Sequence, residues 1–244
     1  MEKETTAKKK THPLKTIKIL CRNKYFILIT LAFAVIYTSL GLTGGSRIYY
    51  AKYVLGDEML NSTMTMFNYI PTILTIMLIP VFTKRFGKIK ALFVGFLFYA
   101  AGLVLEIAGP VNLPMIYTGL VLQGIGHAAL YSCLFAIVGD VVDYSEWKDG
   151  IREEGITYSV TSFGQKIGTG LGTAALGWIL AAGHYDGTAA VQSASAIFAI
   201  KGLFLYLPLV ITVIVLIIWY LFMGIDKIYP TVRKELDERR EKAE

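Results

Sequence analysis

Cysteine is scarce in this 244-residue chain: Cys21 lies in a basic segment and Cys133 within an apolar run. Two thiols so placed exclude a disulfide framework, and no Cys/His spacing of a zinc site occurs. Charged residues are also few, 17% against 55% hydrophobic, and the mean hydropathy is +0.54, which excludes an ordinary water-soluble globule. HExxH, GxSxG and Walker patterns are missing, so the common hydrolase and nucleotide chemistries find no residues to act through. The first 24 residues lack an early apolar core, which predicts no cleavable signal peptide. The net charge of +6 does not indicate nucleic acid, because the cations cluster in tails and loops between apolar runs.

Those apolar runs predict an all-α membrane protein of six transmembrane helices. They cover about Tyr25–Leu42, Ser62–Thr83, Ala91–Ala108, Leu113–Val138 and Ile156–Ala182, with the last inside Ser193–Phe222. Segments 1–24, 84–90, 139–155 and 223–244 hold 20 of the 24 Lys and Arg residues. An even number of spans puts both ends on one side, and the cation bias makes that side cytoplasmic. The expected division is therefore a basic cytoplasmic arm (1–24), a six-helix bundle (25–225) and a charged cytoplasmic tail (226–244), the tail forming an exposed helix. A multi-pass protein of the cell membrane follows.

Within this frame, Gly44-Gly45 is a weak point in the first span, and Pro71 can kink the second. Asn68, Thr72 and Thr75 share a helical face there. Glu106 lies roughly 24 Å of helical rise from Lys90, which assigns it to the opposite interface rather than the core. The basic loop Lys84–Lys90 needs no role beyond topology.

The segment Gly139–Lys166 stands apart. Asp140, Asp143, Glu146, Lys148, Asp149, Arg152, Glu153 and Glu154 crowd into fifteen residues. Such density requires water at the end of two spans. Lys166 then follows Gly155 by roughly 16 Å of helical rise, near the midplane of a slab about 30 Å thick. An ionisable group at that depth faces a protein interior or a wet cavity and is a functional candidate.

Two polar stripes run at helical spacing. Tyr158, Ser162, Lys166, Thr169 and Thr173 fall within an arc of roughly 80° on the fifth span. Hydroxyls there have a plain alternative, bonding to carbonyls of their own helix. Gly164, Gly168 and Gly172 mark another face, where a neighbouring helix can approach closely. On the fourth span, Gln123, His127 and Tyr131 form the second stripe, and His127 has the alternative of merely bonding a neighbouring helix. Donors, acceptors and an aromatic at matching depth suit a sugar, whose hydroxyls need directed hydrogen bonds and whose apolar face stacks on rings.

The string D-V-V-D-Y-S-E-W-K-D-G-I-R-E-E-G-I-T-Y-S at Asp140–Ser159, with Lys166 ten residues after Ile156, resembles the helix 10–11 loop of the glycoside–pentoside–hexuronide:cation symporters. That family belongs to the major facilitator superfamily, and the resemblance covers the second half of a twelve-helix member. It implies one long, broken helix 7 across Gly44-Gly45, and a basic loop at Lys84–Lys90 like that between helices 8 and 9. Lys166 is similar to the family's helix 11 lysine beside the cation and sugar sites, Ser162 to a neighbouring hydroxyl, and Tyr131 to an aromatic lining the sugar pocket. Asp140 and Arg152 match charges of the family's inner gate; with Asp143, Glu146 and Glu154 they would close the cytoplasmic mouth. The alternative for the whole charged segment is a solvated turn.

The resemblance also implies an absence. The acids that bind the coupling ion and the sugar lie on first-half helices, and no apolar span here sets Asp or Glu at the depth of Lys166. The expected activity is cation-coupled (Na⁺ or H⁺) uptake of a sugar, glycoside or hexuronide by alternating access. No metal or cofactor is expected beyond the coupling ion; the partners are the sugar, the bilayer and a missing N-terminal six-helix half, with no nucleic acid. The rival readings are a non-transporting sugar-binding or regulatory half, an inactive half-protein or homodimer, and an intramembrane enzyme using Asp140 and Asp143 as a metal-binding pair.

Overall fold

A computed structural model describes residues 19–150, 152–189 and 191–242. Most of the expected basic arm, residues 1–18, lies outside that set. The described chain is helical throughout: α1 (Lys24–Tyr53), α2 (Leu60–Ile76), α3 (Ile79–Phe86), α4 (Lys88–Ala108), α5 (Leu113–Asp149), α6 (Glu154–Ala182), α7 (Ala194–Lys201), a π-helical turn (Gly202–Tyr206), α8 (Leu207–Phe222) and α9 (Gly224–Glu241).

Local chemistry sets the helix ends. Asn23 begins α1 by accepting from the Tyr25 amide at 3.0 Å, and its Nδ2 donates to Ser145 Oγ at 2.9 Å, tying that end to α5. Asn112 caps α5 through the Met115 amide at 3.2 Å, with Pro114 in the first turn, where its missing N–H costs nothing. Gly150, at φ 66°, takes the left-handed conformation that ends α5.

Three expectations need correction. Gly44-Gly45 does not break α1, which runs 30 residues unbroken. Gly45 instead leaves room for the Leu176 side chain of α6, so the missing Cβ serves packing. Pro71 sits inside α2 without ending it; the bend, 55°, falls between α2 and α3, before Pro80. Pro80 removes a helical donor and restricts the residue ahead of it. The charged segment is also no open loop, since α5 stays helical through Asp149.

Among the described residues, four helices are long and apolar enough to cross a membrane: α1, α4, α5 and the continuous α7–α9 stretch. The bent α2–α3 pair raises the number to five. The remaining expected span, the fifth, is α6; it is 29 residues long, but Lys166, Gln165 and its many Ser, Thr and Gly residues hold its hydropathy down.

Helices pack as pairs: α1 along α6, α4 along α5, and α2 against α5. Gly168 and Gly172 explain the first pairing, because a Cβ on either would overlap the Ala34 or Thr38 carbonyl of α1. That is the close approach their spacing predicts. Asn68 and Thr72 hold α2 to α5 by donating to the Leu120 and Gly124 carbonyls at 3.2 and 3.0 Å. One hydrophobic cluster, around Tyr25, Phe33, Leu92, Ile137 and Trp219, fills the charged end; a second, around Tyr50, Met64, Leu120 and Leu203, fills the other. The tail helix α9 is not simply exposed. Ile225, Val232 and Leu236 are buried, so one face is docked on the bundle.

Candidate functional site

At the charged end, α5 and α6 bring the anticipated gate residues close together. Arg152 donates to Asp143 at 2.9 Å and to Glu146 at 2.5 Å, and both of its remaining arms reach Glu154. These bonds, first that to Glu146, hold the guanidinium above its usual pKa and keep it charged. Asp140 is buried and pairs with Lys88 rather than with Arg152. Its two oxygens receive Lys88 Nζ at 2.7 and 2.9 Å. The basic loop therefore does more than set topology: it supplies the partner for Asp140. Sequence reasoning missed this pair because its members stand 52 residues apart.

The tail helix joins the same network. Tyr229 donates to Asp143 at 2.9 Å, Arg240 to Glu146 at 3.0 Å, and Trp147 Nε1 to Glu235 at 2.7 Å. Asp226 accepts from the Ile89 and Lys90 amides at the start of α4, where a carboxylate also meets the positive helix end. Nothing in the tail's composition announced those partners.

Farther along α6, Tyr158, Lys166 and Thr169 are exposed and Ser162 is partly so. Thr169 and Thr173 spend their hydroxyls on the Gln165 and Thr169 carbonyls of their own helix. Lys166 makes no ion pair among the described residues. Tyr158 reaches across to the Phe135 carbonyl at 3.4 Å, so the α6 stripe meets α5 one turn from Tyr131.

The α5 stripe divides. Tyr131 is 45% exposed. His127 is buried between the Tyr99 and Tyr131 rings, at centroid distances of 4.9 and 5.8 Å. Gln123 turns inward and donates to Glu106 at 2.8 Å. Chemically, the open face offers aromatic surfaces and an ammonium without an ion pair among the described residues, while behind it Gln123 bonds Glu106.

Glu106 corrects the helical-rise argument. It does stand near the far end of α4, yet it is wholly buried within the bundle. Rise gives depth but not facing. The signal that finds it is the spacing of Gly95, Tyr99, Gly102 and Glu106 on one side of α4, opposed by Gly119, Gln123 and Gly126 on α5.

The described residues contain no cluster of His, Cys, Asp or Glu able to hold a metal ion. Cys21 and Cys133 are both free thiols.

Against known proteins, residues 1–227 match the family model described as MFS/sugar transport protein. The isoprimeverose transporter of Lactiplantibacillus pentosus is 31% identical over 242 residues, covering 97% of this chain and 49% of that protein. A putative 2,3-dihydroxypropane-1-sulfonate exporter of Salmonella typhimurium is 31% identical over 195 residues, 80% of this chain and 42% of its own. The glucuronide carrier protein homolog of Escherichia coli is 26% identical over 227 residues, 92% of this chain and 50% of its own. The chain thus spans about half the length of the curated relatives it matches. These relatives are transporters, which sets aside the enzyme reading built on Asp140 and Asp143. The chain is a multi-pass membrane protein of the MFS/sugar transport family, within its glycoside–pentoside–hexuronide:cation symporter group.

Proposed function

We propose that the chain forms one half of a carrier that moves a sugar, glycoside or hexuronide with Na⁺ or H⁺ by alternating access. Six spans, with both termini in the cytoplasm, belong to this reading; α6 supplies the span whose polarity hides it. The observation that carries the proposal is the exposed Lys166 on α6. A lysine at the centre of a lone span costs about 2.5–3.5 kcal/mol. That cost disappears if the α6 stripe faces a wet cavity completed by another six-helix half bearing carboxylates. Tyr131, Tyr158 and Tyr69 supply ring surfaces for the apolar face of a pyranose.

The named relatives support the substrate class, since isoprimeverose and glucuronides are both pyranosides. The exporter differs both in substrate, a three-carbon sulfonate that is no pyranoside, and in direction, which in a reversible cycle follows the gradients. The gate would be the Arg152 cluster. Exposed ion pairs contribute only about 0–1 kcal/mol each, which suits contacts made and broken between states of similar free energy.

The test is uptake of labelled isoprimeverose or a glucuronide by proteoliposomes under an imposed Na⁺ or proton gradient. It is run with the chain alone and with the chain joined to the first half of the isoprimeverose transporter. Accumulation by the joined protein that an ionophore abolishes supports the proposal. Sugar binding without ion-dependent flux contradicts it and favours the non-transporting half.

A further inference from the structure

Among the described residues, three buried side-chain polar atoms have no hydrogen-bond partner, Trp219 Nε1 and two that belong to oppositely charged residues: Glu106 Oε2 and Arg47 Nε. Glu106 is wholly buried, and its other oxygen accepts from Gln123 Nε2 at 2.8 Å. Space for the carboxyl is built in, because a Cβ on Gly119 would lie 2.6 Å from Glu106 Cγ and 3.0 Å from Oε1. Arg47, on α1, directs one terminal nitrogen to Thr65 Oγ1 at 3.1 Å rather than to the carboxyl.

The surroundings are otherwise neutral. Near Glu106, α1 contributes Arg47 and Tyr50 and α4 itself Tyr99, while the non-titrating Gln123 of α5 bonds it. Tyr206 stands beyond Tyr50, while Tyr69 of α2 and His127 and Tyr131 of α5 lie around Arg47. Arg47 is the single cation in this group. A carboxylate with one neutral donor, removed from water, costs several kcal/mol. It can escape that cost in two ways: by carrying a proton or by closing on Arg47.

We propose that Glu106 is a proton-carrying group that Arg47 displaces. In the conformation seen, the proton rests on the carboxyl and the guanidinium stands apart. When Arg47 moves onto Glu106, the O–H bond breaks, the electron pair stays as carboxylate, and the proton passes to water at the nearby α4–α5 turn. Return of the proton releases Arg47.

The carried species is a proton rather than a metal ion. Hard cations gather roughly six oxygen ligands. Here Gln123 presents its amide nitrogen, no further carboxylate among the described residues joins Glu106 in a ligand cluster, and Arg47 repels a cation. The purpose of this exchange, linking ion to sugar, rests on the carrier reading above; its chemistry does not.

Infrared spectroscopy of the chain in lipid nanodiscs reads the carboxyl directly through the carbonyl band of the protonated acid. At pH 7 the wild type should show a band that Glu106→Gln removes. Arg47→Gln keeps Glu106 in place, and its band should persist to higher pH, with the midpoint raised by about one pH unit or more. This second variant decides the matter even where Glu106→Gln fails to fold. A wild-type band that appears only on acidification into the ordinary carboxylate range, or a midpoint unmoved in Arg47→Gln, overturns the proposal. Because no transport is measured, failure here leaves the carrier reading standing, and loss of that reading leaves the protonation result intact.

Discussion

Lys88 Nζ lies 2.7 and 2.9 Å from the two oxygens of Asp140, locking the first turn of α4 to the charged end of α5. The acid's side chain is 8% exposed and the lysine's 34%. This asymmetry sets the expected effects. Lys88→Ala leaves a buried carboxylate without its cation and should destabilise more than Asp140→Asn, which leaves an amine able to reach water. A double-mutant cycle followed by thermal unfolding should give a coupling of about 1 kcal/mol. Additive single effects would mean that the contact carries no coupling energy.

Arg152 holds three carboxylates together, Asp143, Glu146 and Glu154. Arg152→Ala leaves them to repel one another, with Arg240 still on Glu146. In the assembled carrier, the variant should change transport rate more than equilibrium sugar affinity. Added salt should shrink the difference from wild type, because these groups are partly exposed. A large loss of affinity at unchanged rate contradicts a gating role.

Gly168 and Gly170 provide an internal contrast on one helix. A Cβ at Gly168 overlaps the Ala34 carbonyl, whereas one at Gly170 meets nothing within 4 Å. Gly168→Ala should therefore push α6 off α1 and destabilise by about 1–3 kcal/mol, while Gly170→Ala is tolerated. Thermal unfolding in detergent measures both; equal effects would show that the α1–α6 approach is not what fixes α6.

These particulars also mark how far the sequence reaches. Apolar run length placed the helix starts to within a few residues, although α1 and α5 each run eleven residues past the expected end; four-residue glycine spacing announced the close α1–α6 pairing. Facing was harder. The rise from Lys90 gave Glu106 its depth, but its burial depends on Gly119 and Gln123 of α5, a partnership with no local signature. Gly44-Gly45 was expected to bend because glycine can, yet here it accommodates Leu176 and α1 stays straight in its hydrogen bonding. Lys88 with Asp140 and the docking of α9 are long-range pairings that composition cannot choose. Among the stripe residues, spacing grouped Gln123, His127 and Tyr131 correctly on one side of α5. Only packing shows that the first turns to Glu106, the second is held between rings and the third remains open.

The account rests on Lys166 standing in a watery cavity within the assembled carrier. Lys166→Cys, in a protein whose exposed Cys21 is replaced by serine, places a thiol at that point; Cys133 is buried. The measurement is labelling in sealed membranes by a charged, membrane-impermeant maleimide, with and without sugar. The account predicts reaction with that reagent and protection by substrate. Reaction only with a lipid-soluble maleimide, indifferent to sugar, would put the α6 stripe against lipid and contradict it.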